Sequence, residues 1–297
     1  MKLSSASPIR STHQDGNWTR AIPSRRLGPA GGSAEVVRRN NVLEDQLAAL
    51  RRENDDLHRT LFEAAHAQRK LCGPRHLCRG PFEIASEIFP VRHLSGDFIS
   101  IFDFEDDLVF AIGDIAGKGL SAAMWFSHLV TAIQLQFATC GDPASTLIAI
   151  NHDLLRTNLE IPLSTLLLVR LDTATGEITY CNAGHPPAFL MRGEGLVESL
   201  SEGGPILGVL SSASFTNGKT AMLPGDTLVG YSDGALECRN SVGDEFGSDG
   251  LLTTARNSSG SAASSTLFSV LAAVEDFTGS QRREDDISLI VAHRAAQ

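Results

Sequence analysis

The sequence predicts an α+β domain built on antiparallel sheets and preceded by a long N-terminal helix. Three observations carry this. Apolar segments of strand length come in pairs, and helical pairs interrupt them. Turn signals such as Asp172–Gly176 separate strand partners. Residues 35–72 contain neither Pro nor Gly and repeat their apolar positions at coiled-coil spacing.

A chain of 297 residues accommodates one large domain, or one domain with an appendage, and 42% hydrophobic content suffices for an ordinary core. The net charge is −10, yet residues 1–34 hold Lys2, Arg10, Arg20, Arg25 and Arg26 against Asp15 alone. The remainder is therefore more acidic than the whole. An acidic body excludes the clustered positive face that nucleic-acid binding requires, and suits a protein that holds divalent cations. A solvated acidic surface is the plainer explanation of the same charge.

Residues 1–34 are rich in Ser, Pro, Gly and Arg without periodicity, the composition of a disordered tail. They lack the apolar stretch of a signal peptide, and apolar runs such as Leu166–Val169 are far too short to span a membrane. The expectation is a cytoplasmic protein without a membrane partner. In residues 35–72, Leu43, Leu50, Leu57 and Leu71 occupy d positions, with Val36 and Ala64 in the same row. The a row is Asn40, Leu47, Asn54, Leu61 and Gln68. Leucine at d with asparagine at a fits a parallel two-stranded coiled coil, in which buried Asn fixes register at some cost in stability. Arg39 reaching Glu44, and Glu53 facing His58, suit its flanks. The expected arrangement is a homodimer through residues 36–71; the alternative is one amphipathic helix packed on its own domain. Gly73-Pro74 ends the helix.

Beyond residue 80, strands are expected at Phe82–Val91, Phe98–Phe104 and Leu108–Ile112, and helices over Ser121–Thr139 and Pro143–Asn158. Strand pairs follow at Thr165–Leu171 with Glu177–Cys181, Ala188–Arg192 with Leu196–Leu200, and Thr216–Leu223 with Thr227–Ser232. The last pair is joined by a Pro224-Gly225-Asp226 turn. Helices at Gly250–Arg256 and Ala262–Phe277 and a strand at Ile287–Ala292 complete the domain over residues 80–297.

The five cysteines are odd in number and form no CxxC pair, which argues against a disulfide framework. Cys72, His76 and Cys78 lie close in sequence, but no second ligand pair follows at a zinc-site spacing.

Four aspartate segments stand at expected strand ends: Ser95-Gly96-Asp97, Gly113-Asp114-Ile115, Ser232-Asp233-Gly234 and Asp285-Asp286-Ile287. One Asp beside Gly is usually only a turn. Four converging carboxylates are another matter, since two unit charges 4 Å apart repel by about 4 kcal/mol at an effective dielectric near 20. Such a cluster requires protons or cations, and all-oxygen donors suit Mg²⁺ or Mn²⁺.

In order and wording these segments resemble the PPM family of metal-dependent serine/threonine phosphatases, and within it the bacterial SpoIIE/RsbU-like branch. Gly113–Gly119 is similar to that branch's GDVxGKG, Cys181–Pro187 to its NAGHxP segment, Ser232–Glu237 to (T/S)DGxxE, and Asp285–Ser288 to DDxT. Ile115 and Ser288 stand where Val and Thr are common.

The resemblance implies a layered β-sandwich flanked by helices, with two Mn²⁺ or Mg²⁺ ions at one end. Asp114 would bridge the two, Asp97 and the Ile115 carbonyl would hold one, and Asp233 and Asp285 the other, with Asp286 beside them. It implies direct attack by metal-bound hydroxide, without a cysteine or serine nucleophile. Arg92 corresponds to an arginine that grips substrate phosphate, against a plain surface role; Lys118 follows Asp114 in a glycine-rich loop, where it either meets the anion or caps the loop. His185 reads as a structural residue orienting its turn rather than as a general acid.

The expected activity is a metal-dependent phosphoprotein phosphatase acting on phosphoserine or phosphothreonine. By resemblance the substrate is an anti-sigma-factor antagonist in a bacterial partner-switching pathway. The helix is the expected docking point for a regulatory protein. A non-catalytic phosphoprotein-binding adaptor and a hydrolase of small phosphate esters are the rival expectations.

Overall fold

A computed structural model describes residues 31–296 apart from 105, 118, 158–161, 194 and 259. Most of the 1–34 segment, and Lys118, therefore lie outside the described residues. The chain divides into two compact units, Met1–Asp55 and Asp56–Gln297.

Helix α1 (Gly31–Leu71) begins in the first unit, so the last residues assigned to the tail are helical. Within that unit every described side chain is exposed, including Leu43, Leu47 and Leu50. The second unit begins inside the helix, at Asp56 rather than near residue 80. Its helical residues behave differently: Ala65 is buried with Leu94 and Ala123, and Gln68 is buried as well. The a position expected of Gln68 is thus spent on the chain's own domain.

The second unit continues through β1 (His76–Arg79), β2 (Phe82–Phe89), β3 (Phe98–Phe104) and β4 (Asp107–Ile115) to helices α2 (Leu120–Cys140) and α3 (Pro143–Arg156). Strands β5 (Ser164–Asp172), β6 (Glu177–Ala183), β7 (Ala188–Met191), β8 (Val197–Leu200), β9 (Gly203–Gly204), β10 (Gly218–Ala221) and β11 (Thr227–Tyr231) follow. Helices α4 (Asp233–Leu236), α5 (Gly247–Asn257) and α6 (Ala263–Thr278) precede the last strand, β12 (Ile287–Arg294).

Two sheets result, one ordered β1-β2-β12-β11-β7-β8 and the other β10-β6-β5-β4-β3. Strand alternation explains how both faces of each sheet are covered. In β4, Leu108, Phe110 and Ile112 face the core between the sheets, whereas Val109 and Ala111 face α2 and α3. In β5, Leu167, Val169 and Leu171 point inward and Leu166 and Leu168 point toward the same helices. This is why Leu166–Val169 reads as an unbroken apolar run. Helices α5 and α6 cover the outer face of the first sheet, burying Leu251, Leu267, Val270 and Val274 against Val229, Leu289 and Val291. Each such fully buried side chain contributes about 1.5–3 kcal/mol.

Local chemistry sets the helix ends. Gly141 closes α2 at φ 73°, a left-handed turn favouring glycine. Asp142 then caps α3, accepting the Ser145 N–H at 3.0 Å, with Pro143 in the first turn.

The expected β10–β11 hairpin does not form. β10 pairs with β6, whereas β11 lies between β12 and β7 in the other sheet. The Pro224-Gly225-Asp226 turn carries the chain across the sandwich, and Asp226 anchors it by accepting the Leu223 N–H at 2.8 Å and Arg192 Nη1 at 2.7 Å.

Candidate metal centre

Each acidic segment occupies a strand end, and the pairing registers bring those ends together. Phe98 pairs with Gly113, which sets Asp97, just before β3, beside Asp114 near the end of β4. In the opposite sheet Tyr231 pairs with Leu289, so Asp233 follows β11 where Asp285 and Asp286 precede β12. The Ser232 N–H donates to the Ser288 carbonyl, and the Ser288 N–H to Ser232 Oγ, both at 3.0 Å. Across the sandwich, Ser288 Oγ donates to Asp97 Oδ2 at 2.6 Å.

Glycines make the approach possible. A Cβ on Gly96 would lie 2.9 Å from the Ile115 carbonyl and 3.2 Å from Asp114 Oδ1. A Cβ on Gly234 would overlap the Asp286 carbonyl.

The carboxylates feel one another. Burial, then the charges of Asp233 and Asp285, push Asp114 up to about 6. Asp97 is pushed well above the usual carboxylate range by burial, and also by the charges of Asp114 and Asp286; the Ser288 hydroxyl opposes this. Asp97, Asp114, Asp233 and Asp285 are thus brought into one electrostatic cluster. A hollow of about 300 Å³ opens between Asp114 and Asp233, lined also by Thr165, Gly184, His185 and Pro186.

Asp286 has a different occupation. Its Oδ1 accepts the Val91 N–H at 2.7 Å, and its Oδ2 accepts Ser95 Oγ at 2.6 Å and the Gly96 N–H at 3.2 Å. It holds the loop that carries Arg92 and leads into Asp97. Gln68 grips the same loop from α1, donating Nε2 to the Ser95 carbonyl at 2.9 Å. Arg92 is exposed and lines a groove with Leu61, Val91, His93 and Leu120. The Ile115 side chain is fully buried, and its N–H donates to the Gly96 carbonyl at 3.3 Å.

The donor set fits hard divalent cations. Asp114 and Asp233 offer carboxylate oxygens at the hollow, and Asp97 and Asp114 are held in a mutually repelling arrangement that positive charge would relieve. Among the described residues no three or more His, Cys, Asp or Glu side chains stand close enough together to hold a metal ion, the four aspartates and the Cys72–His76–Cys78 group included. His76 Nε2 instead faces Glu83 at 3.0 Å. Burial pushes Cys72 up to about 11 and Cys181 to about 12, so neither thiol is a ready nucleophile at neutral pH.

The roles of Ser95, Thr165, Ser232, Ser288 and Gln68 were not visible in the sequence; a Ser within three residues of Asp97, Asp233 and Asp285, though not of Asp114, was the only hint. For His185, the turn it was expected to orient is closed by Asn182. Asn182 Oδ1 accepts the His185 N–H at 2.8 Å, and its Nδ2 donates to the His185 carbonyl at 2.9 Å.

Residues 105–295 match the family Stage II sporulation protein E (SpoIIE). The chain is 29% identical over 202 residues to Protein IcfG of Synechocystis sp. (strain ATCC 27184 / PCC 6803 / Kazusa), a match covering 58% of this chain and 32% of that protein. It is 26% identical over 182 residues to the phosphoserine phosphatase RsbU of Bacillus subtilis (strain 168), covering 61% of this chain and 54% of RsbU. The chain thus spans about a third to a half of the length of these relatives. The SiaA-PP2C domain of Pseudomonas aeruginosa shares the fold at a TM-score of 0.69 and 21% identity, covering 81% of this chain and 98% of that domain. No helix among the described residues is long and apolar enough to cross a membrane.

Proposed function

Because the chain belongs to the SpoIIE family, whose domain has the PP2C-type phosphatase fold, we propose that it is a divalent-metal-dependent phosphatase acting on phosphoserine or phosphothreonine of a protein. One observation carries the reading. Asp97, Asp114, Asp233 and Asp285 come from four strand ends in two sheets and meet where burial and mutual repulsion raise Asp97 and Asp114. Carboxylates whose charges raise one another in this way are relieved by bound cations.

On this reading Asp97, Asp114, Asp233, Asp285 and the Ile115 carbonyl hold two Mn²⁺ or Mg²⁺ ions. When bound, the ions acidify water and neutralise charge on the phosphoryl group. The chain's own residues supply position. Ser288 orients Asp97 from the opposite sheet, and Asp286 fixes the loop from Val91 to Gly96. Arg92, exposed on that loop, offers a guanidinium fork to the substrate phosphate, and Lys118 is proposed to assist it. The phosphoserine preference draws support from RsbU, named a phosphoserine phosphatase. The finer proposal, an anti-sigma-factor antagonist as substrate in a partner-switching pathway, rests on the family resemblance.

The heptad helix is proposed to pair with a second copy over residues 36–57, shorter than the 36–71 span its sequence suggests. Leu43, Leu47, Leu50 and Leu57 are all exposed, whereas Ala65 and Gln68 are buried in the domain. A regulatory protein at this helix would act on the centre through Gln68 and Ser95. Leu50→Asp should halve the mass of the full chain in solution.

The deciding experiment is turnover of a phosphoserine protein by the full chain with Mn²⁺, beside Asp233→Asn. The variant should lose about 100-fold or more in kcat/KM. Binding of the phosphoprotein without turnover would turn the reading toward an adaptor. Better turnover of small phosphate esters would shift the substrate class.

A further inference from the structure

His185 has a side chain that neither its turn nor the proposed metal set uses. Asn182 alone closes the turn through the His185 main chain, so the imidazole is free for other work. It is buried and lines the hollow between Asp114 and Asp233. Its Nδ1 lies 2.9 Å from Thr165 Oγ1.

The proton positions follow from the partners. Thr165 Oγ1 accepts the Asp114 N–H at 3.3 Å, so its own proton is free to donate. His185 Nδ1 is the acceptor within its reach among the described residues. Nδ1 then carries no proton, and the neutral ring carries its hydrogen on Nε2. Nε2 is buried and makes no hydrogen bond of normal geometry. Burial pushes the ring down to about 4, and the Tyr231 backbone opposes this. Tyr231 is the last residue of β11, two positions before Asp233.

We infer that Thr165 and His185 are positioning residues, a polar strut running from the Asp114 amide through Thr165 to the imidazole in the wall of the hollow that Asp233 also lines, which helps to hold Asp114 in place relative to Asp233. The two acids lie in different sheets, and no ladder hydrogen bond fixes their separation. Packing of apolar side chains between sheets tolerates small sliding movements, whereas a chain of directional hydrogen bonds does not. A pair of carboxylates that must share cations requires that second kind of restraint.

The inference rests on the metal reading above, and its test separates the two. Mn²⁺ uptake by the full chain is measured by titration calorimetry, with kcat, the Mn²⁺ concentration for half-maximal rate, and melting temperature recorded alongside. Thr165→Val, of the same shape without the hydroxyl, should weaken Mn²⁺ binding about 10–100-fold, the range for loss of a group that orients a metal ligand. At saturating Mn²⁺ it should regain most of its kcat. Thr165→Ser should restore tight binding. His185→Gln, which keeps an acceptor and a donor, should bind more tightly than His185→Leu, and this second series decides the matter if Thr165→Val fails to fold. Wild-type Mn²⁺ affinity in both Thr165→Val and His185→Leu would overturn the strut, as would lowered melting temperatures without any change in affinity. Absence of Mn²⁺ uptake by the wild type would instead remove the metal reading itself.

Discussion

The strand β11 has an acid just outside each end, one buried and one exposed, and the two are treated in opposite ways. Asp226, before the strand, is almost fully buried and accepts Arg192 Nη1 at 2.7 Å, the Leu223 N–H at 2.8 Å and the Gly193 N–H at 3.2 Å. Arg192 also bonds Glu198, so charge and hydrogen-bonding capacity are matched within the chain. Asp233, after the strand, faces Asp114, and Asp114 faces Asp97 and Asp285. Asp97 and Asp114 are instead raised by the charges of neighbouring carboxylates. The contrast is between an acid matched by a guanidinium and acids held against other acids.

The comparison can be broken most forcefully at the satisfied end. Arg192→Met should leave Asp226 buried without its cation and cost about 3 kcal/mol, toward the lower limit for breaking a buried pair because Arg192 is partly exposed. Denaturant unfolding measures the loss, and Mn²⁺ affinity should stay unchanged. At the other end the sign reverses. Asp114→Asn should raise the melting temperature of the metal-free protein at neutral pH, because it removes repulsion, while Mn²⁺ uptake falls by about 100-fold or more.

The pH dependence sharpens the point. The folded value of Asp114, about 6, lies above its ordinary 3.8, so its protonated form is favoured on folding. The stability this contributes is complete below about pH 4 and is lost as pH rises through 6. His185 acts oppositely: burial pushes it down to about 4, so stability is lost as pH falls from 6.5 toward 4. The two windows overlap, and the informative quantity is the difference between wild type and Asp114→Asn at each pH. Without metal that difference should favour the variant more at pH 7 than at pH 5, by a few degrees on a scale of about 2–4 °C per kcal/mol. Saturating Mn²⁺ should reverse it at pH 7. The smallest effect is expected from Ser288→Ala, which removes the 2.6 Å bond to Asp97 and should weaken Mn²⁺ binding about tenfold.

Much of the architecture was legible before any coordinates. The strands expected at Leu108–Ile112 and Thr165–Leu171 lie within β4 and β5, and the helices expected over Ser121–Thr139 and Pro143–Asn158 correspond to α2 and α3. The short strands β1 and β9 and the single turn of α4 were missed, because four residues or fewer carry no measurable period. The crossing at Pro224–Asp226 was misread as a hairpin because a turn signal shows that the chain reverses, not which neighbour it joins. The heptads raise the same problem in another form. Their periodicity identifies an apolar stripe, but only packing shows that Ala65 and Gln68 meet Leu94 and Ser95.

The amino-acid sequence alone determined the elements, the four acidic segments and the order of motifs that places the chain in its family. Those properties are local, written in spacing and residue type. Only the tertiary structure decided that Asp286 holds a loop, that Ser288 reaches Asp97 across the sandwich, and that Thr165 joins the Asp114 amide to His185. These relations join residues distant in sequence through hydrogen bonds whose partners are chosen by sheet register and by the approach of one sheet to the other, and neither leaves a mark on the spacing of residues along the chain.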